Sequence, residues 1–234
     1  MSAKKNRQKA SPPKWQICTE GVTEANYLDK YIQALGLGNY VIVNCRRFKT
    51  SGCGKQHEAL LDKMQECGRN WNVERVFLVH DYDKAAEHSG VKNSFDKTFS
   101  RARKESDYKV IYSNPCFEYW LMLHIGYFDS DLHRHEYQEK TKQICNRKRE
   151  ESGLSRLHDY EYKNDDMLFE YFGGMDGSRV ACSHALARFK EDKKSKKEGS
   201  FSSERYAKNA PCTNFFELLD ALNAYAALLN KHLS

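Results

Sequence analysis

Residues 74–84 read ERVFLVHDYDK: an apolar run, Val76 to Val79, followed by two carboxylates, Asp81 and Asp83. In an extended strand alternate side chains point the same way. The aspartates therefore share a face and project together from the strand's C-terminal end while the run behind them is buried. That end of a strand is where open α/β sheets bind their ligands. Two carboxylates held close repel and raise each other's pKa until a proton or a cation settles the charge, and a hard divalent cation such as Mg²⁺ is the usual partner. An isolated Asp-x-Asp more often ends a strand in a solvated turn, so a metal reading requires a third carboxylate.

Upstream, Trp15 to Cys18 is a short extended run that stops at Thr19-Glu20-Gly21, and Glu20 is the candidate third carboxylate. Gly21 permits a tight turn. Thr23 and Glu24 then open a helix with an acidic first turn, and Tyr27, Leu28, Tyr31, Ile32 and Leu35 recur along it at helical spacing. Gly36 and Gly38 end that helix, and Tyr40 to Cys45 is a second strand rich in β-branched residues. A helix over Lys55 to Glu66 leads to the strand carrying Asp81. A helix over Ser94 to Glu105 follows it, and Tyr108 to Tyr112 is a fourth strand. This strand runs into SNPCFEYWLMLH, residues 113–124, where Ser113 or Asn114 caps and Pro115 opens a helix bearing Glu118. The alternation predicts an α/β fold with a mainly parallel four-stranded sheet and crossover helices. Such a sheet brings Glu20, Asp81, Asp83 and the Ser113 to Glu118 turn to one edge.

The second half is less regular. A helix outside the sheet is expected within Asp129 to Leu157, amphipathic helices over Met167 to Phe172 and Val180 to Phe189, and a mobile Lys- and Ser-rich loop over Arg188 to Lys208. A long closing helix, Phe215 to Leu233, carries Leu218, Leu219, Leu222, Tyr225, Leu228 and Leu229 at helical periods.

Composition sets the class. The 234 residues, 40% hydrophobic and 30% charged with a net charge of +6, can bury a substantial core. No apolar run approaches the roughly 20 residues that span a bilayer. The opening MSAKKNRQKASPPK has no apolar segment after its charges and reads as a flexible basic arm, neither signal peptide nor anchor. Eight scattered cysteines without a CxxC pair suit reduced thiols in a cytoplasm and argue against zinc. TSGCGKQ, residues 50–56, lacks the full GxxxxGK[ST] pattern and reads as a Gly-rich connection rather than a phosphate loop. The His133-Arg134-His135-Glu136 cluster has no metal-ligand partners at standard spacing and reads as a solvated helix start.

ICTEGVTEANYL, VFLVHDYDK, SNPCFEYWLMLH and NAPCTNFFELLDAL, in this order, resemble the RloB family, small proteins encoded beside restriction or abortive-infection genes whose core looks like a TOPRIM domain. TOPRIM domains are built on a strand ending in Glu-Gly and a later strand ending in Asp-x-Asp, here Glu20-Gly21 and Asp81-Tyr82-Asp83. After the basic arm at 1–14, the resemblance implies a TOPRIM-like α/β core at 15–127, with a helical extension packing on it at 128–234. It also implies the effector nuclease of an anti-phage system, kept in check by an ATPase partner and directed at RNA such as tRNA.

Three carboxylates at a sheet edge suit phosphodiester cleavage with Mg²⁺ or Mn²⁺ held by Glu20, Asp81 and Asp83. Glu118 would complete the metal shell or act as base, or would simply answer the helix dipole, and Lys84 would neutralise phosphate. The basic tracts Lys4 to Lys14, Lys190 to Lys197 and above all Lys140, Lys142, Arg147, Lys148 and Arg149 would meet a nucleic-acid backbone. Two other readings remain: a non-catalytic module that binds an ATPase or nucleic acid, and a haloacid-dehalogenase-like phosphatase. The latter places its Asp-x-Asp on the first strand, whereas here it lies on the third.

Overall fold

A computed structural model describes residues 14–45, 73–82, 108–195 and 209–233, with positions 99, 100, 102 and 104. The basic arm before Lys14, the Gly-rich stretch at 50–56, the helix expected at 55–66, most of that at 94–105, Asp83, Lys84 and residues 196–208 lie outside the described residues.

Strands β1 (Lys14–Thr19), β2 (Val41–Cys45), β3 (Val73–Asp81) and β4 (Tyr108–Asn114) are parallel neighbours, and a short β5 (Cys212–Thr213) pairs antiparallel with β4. The order is β2-β1-β3-β4-β5. The four strands expected are parallel to one another, and among the described residues the sheet gains a fifth, antiparallel strand that was not expected. Two residues are too short to leave a strand pattern, and β5 holds its place through side chains. Asn214 Oδ1 accepts from Tyr112 N (2.7 Å), its Nδ2 donates to Val110 O (3.0 Å), and Thr213 Oγ1 donates to Tyr112 O (2.7 Å).

β3 is buried without interruption from Val76 to Asp81, as a central parallel strand covered on both faces must be. One face of the sheet, with Trp15, Ile17, Phe77, Val79 and Ile111, carries the main core. Helix α1 (Val22–Ala34) contributes Tyr27, Leu28, Tyr31 and Ile32 to this core, at the spacing expected. Helix α2 (Phe117–Met122) is wholly buried. It begins at Phe117 with Cys116 as its extended N-cap, so Pro115, joined to Asn114 by a cis peptide, precedes the helix rather than opening it.

Helix α3 (Arg134–Glu151) turns Tyr137, Thr141 and Cys145 inward. A 3₁₀ turn (Glu161–Asn164) and the short α4 (Leu168–Tyr171) follow. Helix α5 (Gly174–Ser195) is longer than expected. It continues through residues 188–195, where the lysine-rich composition suggests a loop, because long basic side chains are good helix formers when nothing forces them inward. Helix α6 (Phe215–Leu233) has the expected bounds and returns to the first strand, stacking Tyr225 on Trp15 at 4.2 Å between ring centroids.

Candidate active site

The chain leaves β1 for β2 on one flank and then crosses to β3 on the other, so the direction of winding reverses between β1 and β3. The crevice beyond the C-terminal ends of such a strand pair is where open α/β sheets bind ligands. Glu20 and Asp81 stand there. Glu20 N donates to Val79 O at 3.1 Å, continuing the ladder one residue past β1, and Asp81 N donates to Glu20 Oε2 at 3.4 Å. β4 ends level with them: Asp81 pairs with Ser113, and Tyr82 N donates to Ser113 O at 2.8 Å. The chain then turns into α2, whose first turn returns Glu118 over the same edge.

These side chains line a cleft of about 430 Å³. Glu20, Asp81 and Glu118 are thus brought together as the strand order requires, and Asp83 and Lys84 lie outside the described residues. The cleft also receives Glu24, Arg134 and Lys163, none of which was expected there. Arg134, the first residue of α3, pairs with Asp81 Oδ2 at 3.0 Å. Lys163 Nζ lies 3.3 Å from Glu118 Oε1, and Tyr162 donates its hydroxyl to the same oxygen at 2.6 Å.

Glu24 occupies the space where a side chain at position 21 would begin. A Cβ on Gly21 would fall 2.1 Å from Glu24 Oε2. Gly21 itself has φ −110° and ψ 156°, a conformation open to any residue. Glycine is needed here for room and not for a tight turn.

The electrostatics separate the carboxylates. Burial raises Glu24 to about 7; a hydrogen bond from its own backbone works against this, and Glu118 and Glu20 add to it. Burial pushes Asp81 well above the ordinary carboxylate range, with Arg134 pulling it down and Glu24, Glu20 and Glu118 pushing it up. Burial acts on Glu118 in the same sense, yet Lys163, the Tyr162 hydroxyl and Arg134 outweigh it and hold this group below its usual value. Cys116, next to the cleft, is pushed well above the thiol range by burial and then by Glu118 and Asp81, so it is no thiolate nucleophile.

Four carboxylates face two cations in the cleft, and the upward shifts of Glu24 and Asp81 are what buried, crowded acids show when no further cation settles their charge. The donors are hard oxygens, the type that suits Mg²⁺ or Mn²⁺. Glu20 and Asp81, on adjacent strand ends, would offer two such oxygen donors. Among the described residues no group of three His, Cys, Asp or Glu side chains is arranged to hold one metal.

A family model described as RloB-like protein matches residues 16–222, most of the chain. The chain belongs to the RloB-like family. No curated protein and no solved structure matches it. The RloB-like match runs from β1 into α6 and so includes every residue of the cleft.

The basic residues of α3 do not make one surface. At 3.6 residues per turn, Lys140 and Arg147 fall on one side of the buried Tyr137-Thr141-Cys145 stripe, and Lys142 and Arg149 on the other. Lys142 pairs with Glu139 and Lys148 with Glu151. Arg149 is a structural tie, bonded to Asp165 Oδ2 at 2.7 Å and to Ser155 O at 2.6 Å. His133 caps α3 in a capping box, accepting from His135 N while Glu136 accepts from His133 N, and the cluster is the helix start expected. Among the described residues no helix is long and apolar enough to cross a membrane.

Proposed function

We propose that this protein is a metal-dependent nucleic-acid phosphodiesterase, an endonuclease built on a TOPRIM-like core. The observation that carries the reading is the meeting of Glu20 and Asp81 at the point where the sheet's winding reverses. The Glu20-Gly21 and Asp81-Tyr82-Asp83 pair matches the two signatures on which TOPRIM domains are built, with Asp83 as the third ligand. Bound Mg²⁺ or Mn²⁺ supplies orientation of a phosphate oxygen, offset of charge in the in-line transition state and a more acidic water.

The chain's own residues divide the remaining work. Arg134, a third exposed, presents a guanidinium fork whose geometry matches phosphate oxygens. Glu118 is held ionised by Lys163 and Tyr162 and fits a supporting role in the metal shell. The general acid–base role fits Glu24 better than Glu118, because a carboxyl near 7 can both give and take a proton at neutral pH. The net charge of +6 favours a polyanionic substrate.

The proposed setting is cytoplasmic: the effector of an anti-phage defence system held in check by an ATPase partner, with RNA or tRNA as substrate. The alternative is a non-catalytic module that binds the ATPase or nucleic acid. Purified protein incubated with Mg²⁺ or Mn²⁺ and total RNA, plasmid or single-stranded DNA, beside Glu20→Ala, separates the two. Metal-dependent cleavage that Glu20→Ala abolishes supports the enzyme, and binding without cleavage supports the module.

A further inference from the structure

One wall of the cleft is aromatic. Tyr160 is 49% exposed, and among the described residues it is the large exposed side chain that lines the cleft beside the carboxylates. Single exposed tyrosines are ordinary surface, but this ring is held in place. The 3₁₀ turn that follows it is bolted down from two sides: Tyr162, 1% exposed, reaches Glu118, and Asn26 of α1 donates to Lys163 O at 3.0 Å. Asp159, immediately before, has φ 38°, a left-handed conformation that Asp tolerates better than most residues. Lys163 Nζ lies 5.1 Å from the centroid of the Tyr160 ring and 3.3 Å from Glu118 Oε1, so one cation touches both the ring and the carboxylate floor.

We infer that Tyr160 is a stacking platform for a nucleobase, and that the cleft takes an unpaired nucleotide of a single-stranded nucleic acid. This rests on the phosphodiesterase reading for the position of the phosphate. A base paired in a duplex offers only its edges, with both faces stacked on neighbours, whereas a ring at a cleft rim can engage a face only after the base has left the stack. Every base has a π-face, so the contact selects strand state and not sequence. With the base on Tyr160, Lys163 and Arg134 are the cations next along the cleft toward Asp81, where the sugar–phosphate chain passes.

The test uses the full chain with Ca²⁺ and a short single-stranded oligonucleotide carrying 2-aminopurine, beside the same oligonucleotide in a duplex. The wild type is expected to quench 2-aminopurine in the single strand and to bind the duplex more weakly. Tyr160→Ala loses the quenching and about tenfold in affinity, and Tyr160→Phe, which keeps the ring, retains both. Wild-type quenching and affinity in Tyr160→Ala, equal losses in Tyr160→Phe, or equal dependence on Tyr160 for the duplex would each overturn the inference. Cleavage with Mg²⁺ or Mn²⁺ is read in parallel. Tyr160-dependent quenching by a protein that cleaves nothing sinks the phosphodiesterase and leaves the platform standing. Cleavage that Tyr160→Ala leaves untouched, with unchanged binding, does the reverse.

Discussion

Arg134 Nη2 sits 3.0 Å from Asp81 Oδ2, so the first residue of α3 pairs with the last residue of β3 across 53 positions of sequence. Asp81 is buried and is pushed upward by burial and by three neighbouring carboxylates. Neutralising it relieves that strain, and an asparagine oxygen can still accept from Arg134. Asp81→Asn and Glu20→Gln are therefore expected to melt at or slightly above the wild-type temperature. On the proposed activity, they lose metal-dependent cleavage by at least about a hundredfold. An exposed carboxylate such as Asp131, changed to Asn, alters neither. Variants that unfold would show these carboxylates to be structural acceptors, and variants that cleave normally would remove the metal site.

Glu24 makes stability depend on pH in a specified window. Its folded pKa of about 7 exceeds the ordinary 4.5, so below pH 4.5 both states are protonated and the group costs nothing. As pH rises through 7 the unfolded chain is ionised while the fold resists ionisation, and stability is lost. At about 1.4 kcal/mol per unit the loss is bounded at about 3.5 kcal/mol. His124 acts in the opposite sense: burial lowers its pKa to about 4, which costs stability as pH falls below about 6.5. The difference between wild type and Glu24→Gln isolates Glu24. Denaturant melts should coincide near pH 4 and favour Glu24→Gln above pH 7.5, and a gap of the opposite sign would contradict the assignment.

Gly21 and Glu24 compete for one space. Gly21→Ala needs no change of backbone but must displace the Glu24 carboxylate, at a cost of about 1–3 kcal/mol as for other overpacked sites. Removing the obstacle removes the cost, so adding Glu24→Ala should suppress most of the Gly21→Ala loss. A double-mutant cycle by thermal unfolding checks this, and additive losses would mean that the two positions are independent.

Tyr162→Phe deletes one hydroxyl and leaves a buried carboxylate short of a donor that stood 2.6 Å away. Hydrogen bonds to charged groups contribute about 1.5–3 kcal/mol. Glu118 is held below its usual pKa, so its contribution is present above the unfolded carboxylate pKa and fades as pH falls through the folded value. The Tyr162→Phe loss should therefore be largest at neutral pH and shrink in acid. A pH-independent loss would instead assign it to packing.

The parts of the fold that local pattern controls were legible. α6 and the strand ending at Asp81 follow from periodicity and from an apolar run that stops at a charge. Alternation of elements was enough to place Glu20 and Glu118 at Asp81's edge. The rest of the cleft was not legible, because Glu24, Arg134 and Lys163 carry the signature of solvated helix and turn ends. Only tertiary packing turns them inward. Glu24 alone left a trace, four residues after Glu20 in the first turn of a helix that starts at the sheet edge. The basic run of α3 was legible only as composition, which counts charges without saying which are already paired, as Arg149 is with Asp165.

The joint between β4 and β5 has a bearing on how this protein behaves at high concentration. A strand at the border of a sheet offers a row of unpaired amides and carbonyls to any other chain, and natural folds blunt that border. Here the Asn214 side-chain amide takes up the amide of Tyr112 and the carbonyl of Val110, and Thr213 takes the carbonyl of Tyr112. A two-residue strand and one asparagine thus do the work of a longer flanking strand without creating a new long border in turn. On the β5 side of β4, the Tyr112 amide and the Val110 and Tyr112 carbonyls are thereby taken from any other chain by side-chain chemistry.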